Sequence, residues 1–210
     1  MQKFILVDNK RPLADAWTEE FSKYPNFEIH GGVDIFDYPG DAVVSPANSF
    51  GFMDGGIDLL YSMNMGWHVQ GNLQWLINQE FNGELLIGQA AVLPTGYTKF
   101  PNIICSPTMR VPMDINGMPN VYLCAKAMFI AAKNHPEFKT IVCPGLGTNA
   151  GRVPAEEAAK MMSIALTHFL NPPKNINWYF ATQRHSEIQN RKIEAEDENN
   201  IDLSQFEDLK

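Results

Sequence analysis

The sequence predicts an α/β layered domain, and two observations carry this prediction. Short apolar runs bounded by Gly, Pro, Asn and Asp alternate with longer segments of helical period. The chain has 210 residues, 45% hydrophobic and 19% charged, which is enough for one domain with a buried core. This composition excludes a fully disordered or collagen-like chain. No stretch approaches the roughly 20 apolar residues that a membrane-spanning helix needs.

Seven short apolar runs predict the strands. Each run has five or six residues and ends at turn-forming residues. The predicted strands are residues 3–7, 27–31, 42–46, 89–94, 102–106, 140–144 and 177–181.

Four or five helices are expected between these strands. The clearest covers residues 154–170, because Pro154 stands at its first position, Glu156 and Glu157 follow in the first turn, and it ends before two prolines. Apolar residues at helical spacing predict further helices over residues 120–134 and 67–81, although Gly71 disfavours the second. Another helix is expected to begin near Asp58, after a pair of glycines.

The charge is unevenly distributed along the chain. The 16 basic and 24 acidic residues give a net charge of -8, which disfavours broad nucleic-acid binding. Residues 183–210 hold four basic and eight acidic residues, so half of the net charge lies there. We therefore expect a single domain over residues 1–182, followed by an acidic extension over residues 183–210.

Cysteine and histidine spacing gives no metal or disulfide signal. The three cysteines are an odd number without a C-x-x-C pair, and no two histidines have the spacing of metal ligands. The apolar run near the amino terminus has only four residues, which is too short for a signal peptide. We expect a cytoplasmic protein without a metal or other cofactor.

Two glycine-containing loops follow predicted strands and precede predicted helices. Loop 1, residues 46–56, ends in Gly55 and Gly56, and loop 2, residues 145–151, runs from Gly145 to Gly151. Glycine lets backbone amides approach a ligand closely, and a helix amino end adds positive partial charge, so both loops suit a phosphate. If both lie at one sheet edge, they favour a diphosphate.

Other motifs fit the sequence less well. Gly145, Gly147 and Ala150 have the spacing of a dinucleotide-binding fingerprint, but the helix starts only near Pro154 and the next predicted strand lacks the expected acid. A thiol phosphatase loop needs five residues between Cys and Arg. The two available pairs have four and eight, and the chain has no P-loop.

Four motifs in order resemble the macro domain family of ADP-ribose binders. They are Val33-Asp34-Ile35, Ser45-Pro46-Ala47-Asn48-Ser49, Gly55-Gly56-Ile57-Asp58 and Pro144-Gly145-Leu146-Gly147-Thr148. The resemblance covers about residues 28–181. It implies a three-layer α/β/α sandwich on a mixed central sheet, with ADP-ribose or an ADP-ribosylated substrate across the carboxyl ends of the strands.

The resemblance also implies individual roles. Asp34 would accept a hydrogen bond from the adenine amino group beside the Ile35 amide, and Asn48 would bond the distal ribose. Asp58 matches the acid that helps to activate water in hydrolytic members, so Asp58 and Asn48 are the candidate catalytic residues. The other substrate-binding candidates are Gly55, Gly56, Ile57, Gly145, Leu146, Gly147, Thr148, Asn149, Ala150 and Gly151.

Each role has a structural alternative. Asp34 and Asn48 also suit tight turns, and Asp58 could cap or decorate the helix that begins there. The expected function is binding of ADP-ribose or a derivative with hydrolysis of an ADP-ribosyl bond or a terminal phosphoester. One alternative is a non-catalytic ADP-ribose reader or nucleotide-metabolite binding module. Another is a structural or assembly protein that has kept the fold and lost the ligand.

Several positions depart from the family pattern. Asp54 takes the place of the first of three glycines, and loop 2 lacks an aromatic residue near its tip. Asn149 is expected to tolerate a left-handed conformation, with Arg152 toward phosphate or solvent. Arg110 either faces the ligand or pairs with a surface acid. The aromatic run at residues 178–180 suggests either a core strand or an adenine-stacking ring.

Overall fold

A computed structural model describes residues 2–189 and contains a mixed, six-stranded sheet. In the described residues the strands are β1 Lys3–Asp8, β2 Phe27–Gly31, β3 Ala42–Ser45, β4 Ala91–Tyr97, β5 Phe100–Cys105 and β6 Thr140–Cys143. Their order is β2-β1-β6-β3-β5-β4, and all neighbours are parallel except β4, which runs antiparallel to β5. Six of the seven predicted strands are therefore confirmed.

Helices connect the strands. They are α1 Arg11–Phe21, α2 Gly56–Met65, α3 His68–Phe81, α4 Asn120–Asn134, α5 Ala155–Leu170 and α6 Trp178–Ile188. The helices predicted over residues 67–81, 120–134 and 154–170 agree with α3, α4 and α5 to within one residue at each end. The bounds of α1 did not emerge from the sequence.

Two helical layers cover the two faces of the sheet. Phe4 of β1 packs edge-on against Phe129 of α4, which stacks on Phe169 of α5. Trp17 of α1 donates to the sulfur of Met162 of α5 at 3.3 Å, so α1, α4 and α5 share one face. The other core cluster joins α2 and α3 to alternate strand residues. These strand residues are Ile5, Val7, Val43, Ile103 and Val142. The predicted α/β/α sandwich is confirmed, and burial on both faces explains why the inner strands β1, β3 and β6 are apolar runs.

The strand predicted over residues 177–181 is wrong, because this segment begins helix α6. The Asn177 side chain caps the helix by accepting the Phe180 N–H at 2.8 Å, and Arg184 lies 5.1 Å from the Phe180 ring one turn later. Trp178 and Tyr179 are both about half exposed, which a buried strand would not allow. In the sheet, β6 already pairs with β1 and β3, so no interior position is open for another strand beside it.

The chain divides into two compact units, Met1–Leu170 and Asn171–Lys210. The sheet belongs to the first unit, and α6 belongs to the second. Helix α6 extends across residue 182, and the division into a domain and an acidic extension there stays a prediction. Most of the acidic extension, residues 190–210, lies outside the described residues. Within residues 2–189, no helix is both long enough and apolar enough to cross a bilayer.

Candidate functional site

The carboxyl ends of four parallel strands bring the candidate segments to one edge of the sheet. β2, β1, β6 and β3 are consecutive neighbours in this part of the sheet and run in the same direction. Asp34 follows β2, Asp8 ends β1, loop 2 follows β6 and loop 1 follows β3. Crevices outside the carboxyl ends of parallel strands are the usual place for ligands in such sheets.

The side-chain amide of Asn48 shapes loop 1. Its Oδ1 accepts the backbone N–H groups of Phe50 at 3.1 Å and Phe52 at 3.2 Å, and its Nδ2 donates to the Phe52 carbonyl at 2.8 Å. A side-chain amide has two N–H donors, so one donor of Asn48 is left for a ligand. The turn-forming role and a ribose contact through nitrogen are therefore compatible.

Loop 1 is held between two other segments. The Ser49 N–H donates to the Met109 carbonyl at 3.0 Å, and the Ser49 carbonyl accepts the Leu85 N–H at 2.9 Å.

Arg110 pairs with Glu84 through two hydrogen bonds, of 2.5 and 3.1 Å, which lowers the pKa of Glu84. Of the two expectations for Arg110, pairing with a surface acid is the one that the structure contains.

The glycine pair of loop 1 begins helix α2 and adjoins loop 2. Gly55 is the N-cap residue, and Gly56 has a φ of +57°, where a side chain would be strained. A Cβ atom on Gly56 would lie 3.7 Å from Nδ2 of Asn149 in loop 2. Ile57 turns its side chain toward the core cluster. Two segments about ninety positions apart in the sequence therefore meet at the amino end of a helix.

Asp58 lies in the first turn of α2, but its side chain faces inward. The residue is 6% exposed and accepts a hydrogen bond of 2.5 Å from Oγ of Ser45, at the end of β3. Burial raises the pKa of Asp58 to about 7, and the Ser45 hydroxyl offsets part of this rise. Asp58 therefore neither caps the helix nor decorates its surface. It is an enclosed acid that can change protonation state near neutral pH.

Loop 2 depends on glycine at three positions. A Cβ atom on Gly145 would lie within 2.8 Å of the side chains of Asp8 and Thr148, and a Cβ atom on Gly151 would collide with the Gly147 carbonyl. Gly147 has a φ of +71°. These conflicts explain the glycine spacing without a dinucleotide fingerprint.

The remaining loop 2 residues divide between the core and the surface. Leu146 is buried and Thr148 is half-buried, whereas Asn149 and Ala150 are exposed. Asn149 does not adopt the left-handed conformation that its residue type tolerates, whereas Arg152 does, with a φ of +54°. The Arg152 side chain is largely exposed and lies 3.9 Å from Asp114, so it points to solvent.

Asp34 initiates a short 3-10 turn after β2. Its Oδ1 accepts the Phe36 N–H at 3.0 Å, and Ile35 is buried beneath it. Asp34 itself is exposed, and a carboxylate has acceptor positions beyond the one in use. The turn-forming alternative for Asp34 is thus realised in a way that leaves the carboxylate exposed.

Asp8 is a further acid at this edge that the sequence motifs do not predict. It ends β1, is half-buried, and accepts the Lys10 N–H at 2.8 Å and the N–H of Gly145. Burial raises the pKa of Asp8, while the two N–H groups and the charge of Lys10 oppose this rise. An acid directly after an apolar run was the available signal, because it marks a polar group at the carboxyl end of a strand.

Neither a surface groove nor a metal-binding cluster offers an alternative site in the described residues. A shallow groove between α3, β4 and α4 is lined by residues such as Leu76, Phe81 and Ala131 and contains no cluster of catalytic side chains. Among residues 2–189, no three His, Cys, Asp or Glu side chains are grouped to hold a metal ion. The prediction that the protein needs no cofactor stays a prediction.

An α/β/α sandwich with two glycine-containing loops at the carboxyl edge of its sheet is typical of proteins that bind nucleotides or related ligands. A family profile described as Macro domain matches residues 44–162, which is more than half of the chain. This chain therefore belongs to the macro domain family, a family that binds ADP-ribose.

Individual relatives agree with this assignment. An uncharacterized protein of Aquifex aeolicus is 30% identical over 128 residues, which cover 61% of this chain and 73% of the relative. The fold is similar to a variant of the Oceanobacillus iheyensis macrodomain with ADPR (TM-score 0.57, 22% identity, 68% of this chain and 77% of that chain). It is also similar to the macrodomain of Mycobacterium tuberculosis DarG (TM-score 0.56, 19% identity, 65% and 87%).

Proposed function

We propose that this protein binds ADP-ribose or a derivative across the carboxyl edge of β2, β1, β6 and β3, and that it hydrolyses an ADP-ribosyl bond or a terminal phosphoester. The observation that supports binding most directly is the proximity of loop 1 and loop 2, since a Cβ atom on Gly56 would lie 3.7 Å from Nδ2 of Asn149. Backbone amides at the start of α2 suit a diphosphate without a basic surface. The net charge of -8 is therefore compatible with an anionic ligand.

The order of the loops supports one orientation of the ligand. Asp34 lies at the β2 end of the edge, and Asn48 and Gly56 lie at the β3 end. We place adenine beside Asp34 and Ile35, the diphosphate between loop 1 and loop 2, and the distal ribose beside Asn48. In this orientation the free N–H of Asn48 donates to a ribose hydroxyl.

Hydrolysis needs a base close to the anomeric carbon of the distal ribose. Water attacks that carbon as its bond to the leaving group breaks, positive charge develops there, and the water loses a proton. Asp58 is the third residue of α2, in the turn proposed to face the diphosphate, and its pKa of about 7 suits proton transfer at neutral pH. We propose that Asp58 accepts the proton that the attacking water loses. Asn48 then positions the ribose.

A second candidate function is a reader that binds ADP-ribose without cleaving it. The enclosure of Asp58 favours this alternative, because the residue is 6% exposed and already bonded to Ser45. A reader uses the same loops and the same Asn48 donor but needs no ionisable group near the anomeric carbon.

Two measurements on one set of proteins test the proposal. Calorimetric titration with ADP-ribose measures binding, and release of ADP-ribose from a modified protein measures hydrolysis. We expect Asp58→Asn to retain binding and lose release, with Asp15→Asn on the exposed face of α1 as the matched control. Absence of binding at millimolar ADP-ribose contradicts the whole proposal. Binding without release over a panel of linkages selects the reader.

A further inference from the structure

We infer that Asp8 recognises the hydroxyl groups of the adenosine ribose and makes the site prefer ADP-ribose over its 2′-phosphorylated form. This inference rests on the proposed ADP-ribose site and adds a residue that determines which nucleotide the site accepts.

The position of Asp8 follows from the strand order. β1 lies between β2, which leads to Asp34, and β6, which leads to Gly145. Neighbouring strands are about 4.8 Å apart, so the ends of β2 and β6 are separated by about 10 Å. In ADP-ribose a single ribose joins adenine to the diphosphate. If adenine lies beside Asp34 and the diphosphate beside loop 2, this ribose lies over the end of β1.

The Asp8 carboxylate is fixed in place before any ligand binds. The Asp8 carbonyl accepts the Gly32 N–H at 2.9 Å, and its side chain accepts the N–H groups of Lys10 and Gly145. A carboxylate offers about four acceptor positions, so about two are left for the 2′- and 3′-hydroxyl groups. Asp8 is only half-buried, which leaves these positions accessible.

The same carboxylate disfavours a phosphate on the 2′ position. A carboxylate that accepts hydrogen bonds from a ribose diol meets a like charge when the 2′-hydroxyl is phosphorylated, which is how acidic residues distinguish NAD from NADP in other nucleotide folds. Lys10 and Arg11 lie on the same turn and carry the opposite charge. Both are exposed and screened by solvent, whereas Asp8 is held by two backbone groups. The fixed acid therefore dominates.

Calorimetric titration of the full chain with ADP-ribose and with 2′-phospho-ADP-ribose tests the inference. A hydrogen bond to a charged group corresponds to about tenfold in affinity, so we expect the wild-type protein to bind ADP-ribose at least about tenfold more tightly. Asp8→Asn keeps the shape of the side chain and removes its charge, so it should reduce this ratio to about threefold or less. Asp15→Asn removes one exposed charge from α1 and should leave the ratio unchanged.

A third ligand tests the inference with the wild-type protein alone. ADP-ribose that lacks the adenosine 2′-hydroxyl should bind the wild-type protein several times more weakly than ADP-ribose. Equal affinity of the wild-type protein for these two ligands overturns the inference. The inference is also overturned if Asp8→Asn loses affinity equally for ADP-ribose and for 2′-phospho-ADP-ribose. In either result ADP-ribose still binds the wild-type protein, which separates failure of this inference from failure of the proposed function.

Discussion

Replacing Asp58 with asparagine should change how the stability of the protein depends on pH. In the folded protein the pKa of Asp58 is raised from 3.8 to about 7 by burial, whereas in the unfolded chain the group returns to its ordinary value. Between these values the folded state keeps the proton and the unfolded state has lost it. The contribution of Asp58 to the free energy of unfolding is therefore greatest below its unfolded pKa of 3.8, and it falls as pH rises toward 7.

The size of the effect follows from the same pKa difference. Each pH unit in this interval lowers the free energy of unfolding by about 1.4 kcal/mol, so Asp58 accounts for about 4 kcal/mol in total. Asparagine cannot titrate, and its oxygen can still accept from the Ser45 hydroxyl that Asp58 now engages. Between pH 5 and pH 8, the free energy of unfolding of Asp58→Asn should increase by about 3 kcal/mol relative to that of the wild-type protein.

Urea unfolding at several pH values, followed by tryptophan fluorescence, measures this gain. Trp17 is fully buried and will report the loss of the core. The difference between the two proteins isolates Asp58, because other groups titrate equally in both. Asp15→Asn serves as the control, since Asp15 is exposed. If the curves of wild type and Asp58→Asn stay parallel from pH 5 to pH 8, the assignment of Asp58 as an enclosed acid is refuted.

Three further predictions concern the site. The rate of ADP-ribose release should increase with pH as Asp58 ionises and level off above about pH 7, and a rate independent of pH between 5 and 8 would exclude Asp58 as the base. Gly56→Val should abolish ADP-ribose binding, because it adds a branched side chain beside Asn149 at a positive φ. Calorimetry would detect this loss, and an unchanged affinity would place the diphosphate elsewhere. Gly151→Ala should lower the free energy of unfolding by about 1 to 3 kcal/mol, because its Cβ meets the Gly147 carbonyl. Urea unfolding measures this cost, and wild-type stability would contradict the tight packing of loop 2.

The parts of the fold that the sequence predicted well are those with strong local signals. Helix α4 was predicted to the residue, since its apolar positions recur at helical spacing. β4 was predicted to end at Pro94 but continues to Tyr97 through an irregular register. Proline usually ends a strand, yet β4 is an edge strand, where a missing backbone donor is tolerated.

The parts that the sequence could not predict depend on tertiary neighbours. The segment that begins at Asn177 contains aromatic residues that favour a strand, but the capping side chain and the filled sheet positions decide for a helix. Within the site, the motifs located both loops, but the orientation of Asp58 depends on Ser45, thirteen positions earlier. The position of Asp8 beside Gly145 depends on the pairing of β1 with β6, two strands far apart in sequence.

The support beneath loop 1 bears on the thermodynamics of ligand binding. Besides the Asn48 turn, the Met53 N–H donates to the side chain of Gln70 at 2.7 Å, and the Ser62 hydroxyl donates to the Met53 carbonyl at 2.7 Å. A loop restrained at both ends has little conformational entropy left to lose when a ligand arrives. Most of the interaction energy at this loop is then available as affinity, and ligand association should proceed without a slow ordering step.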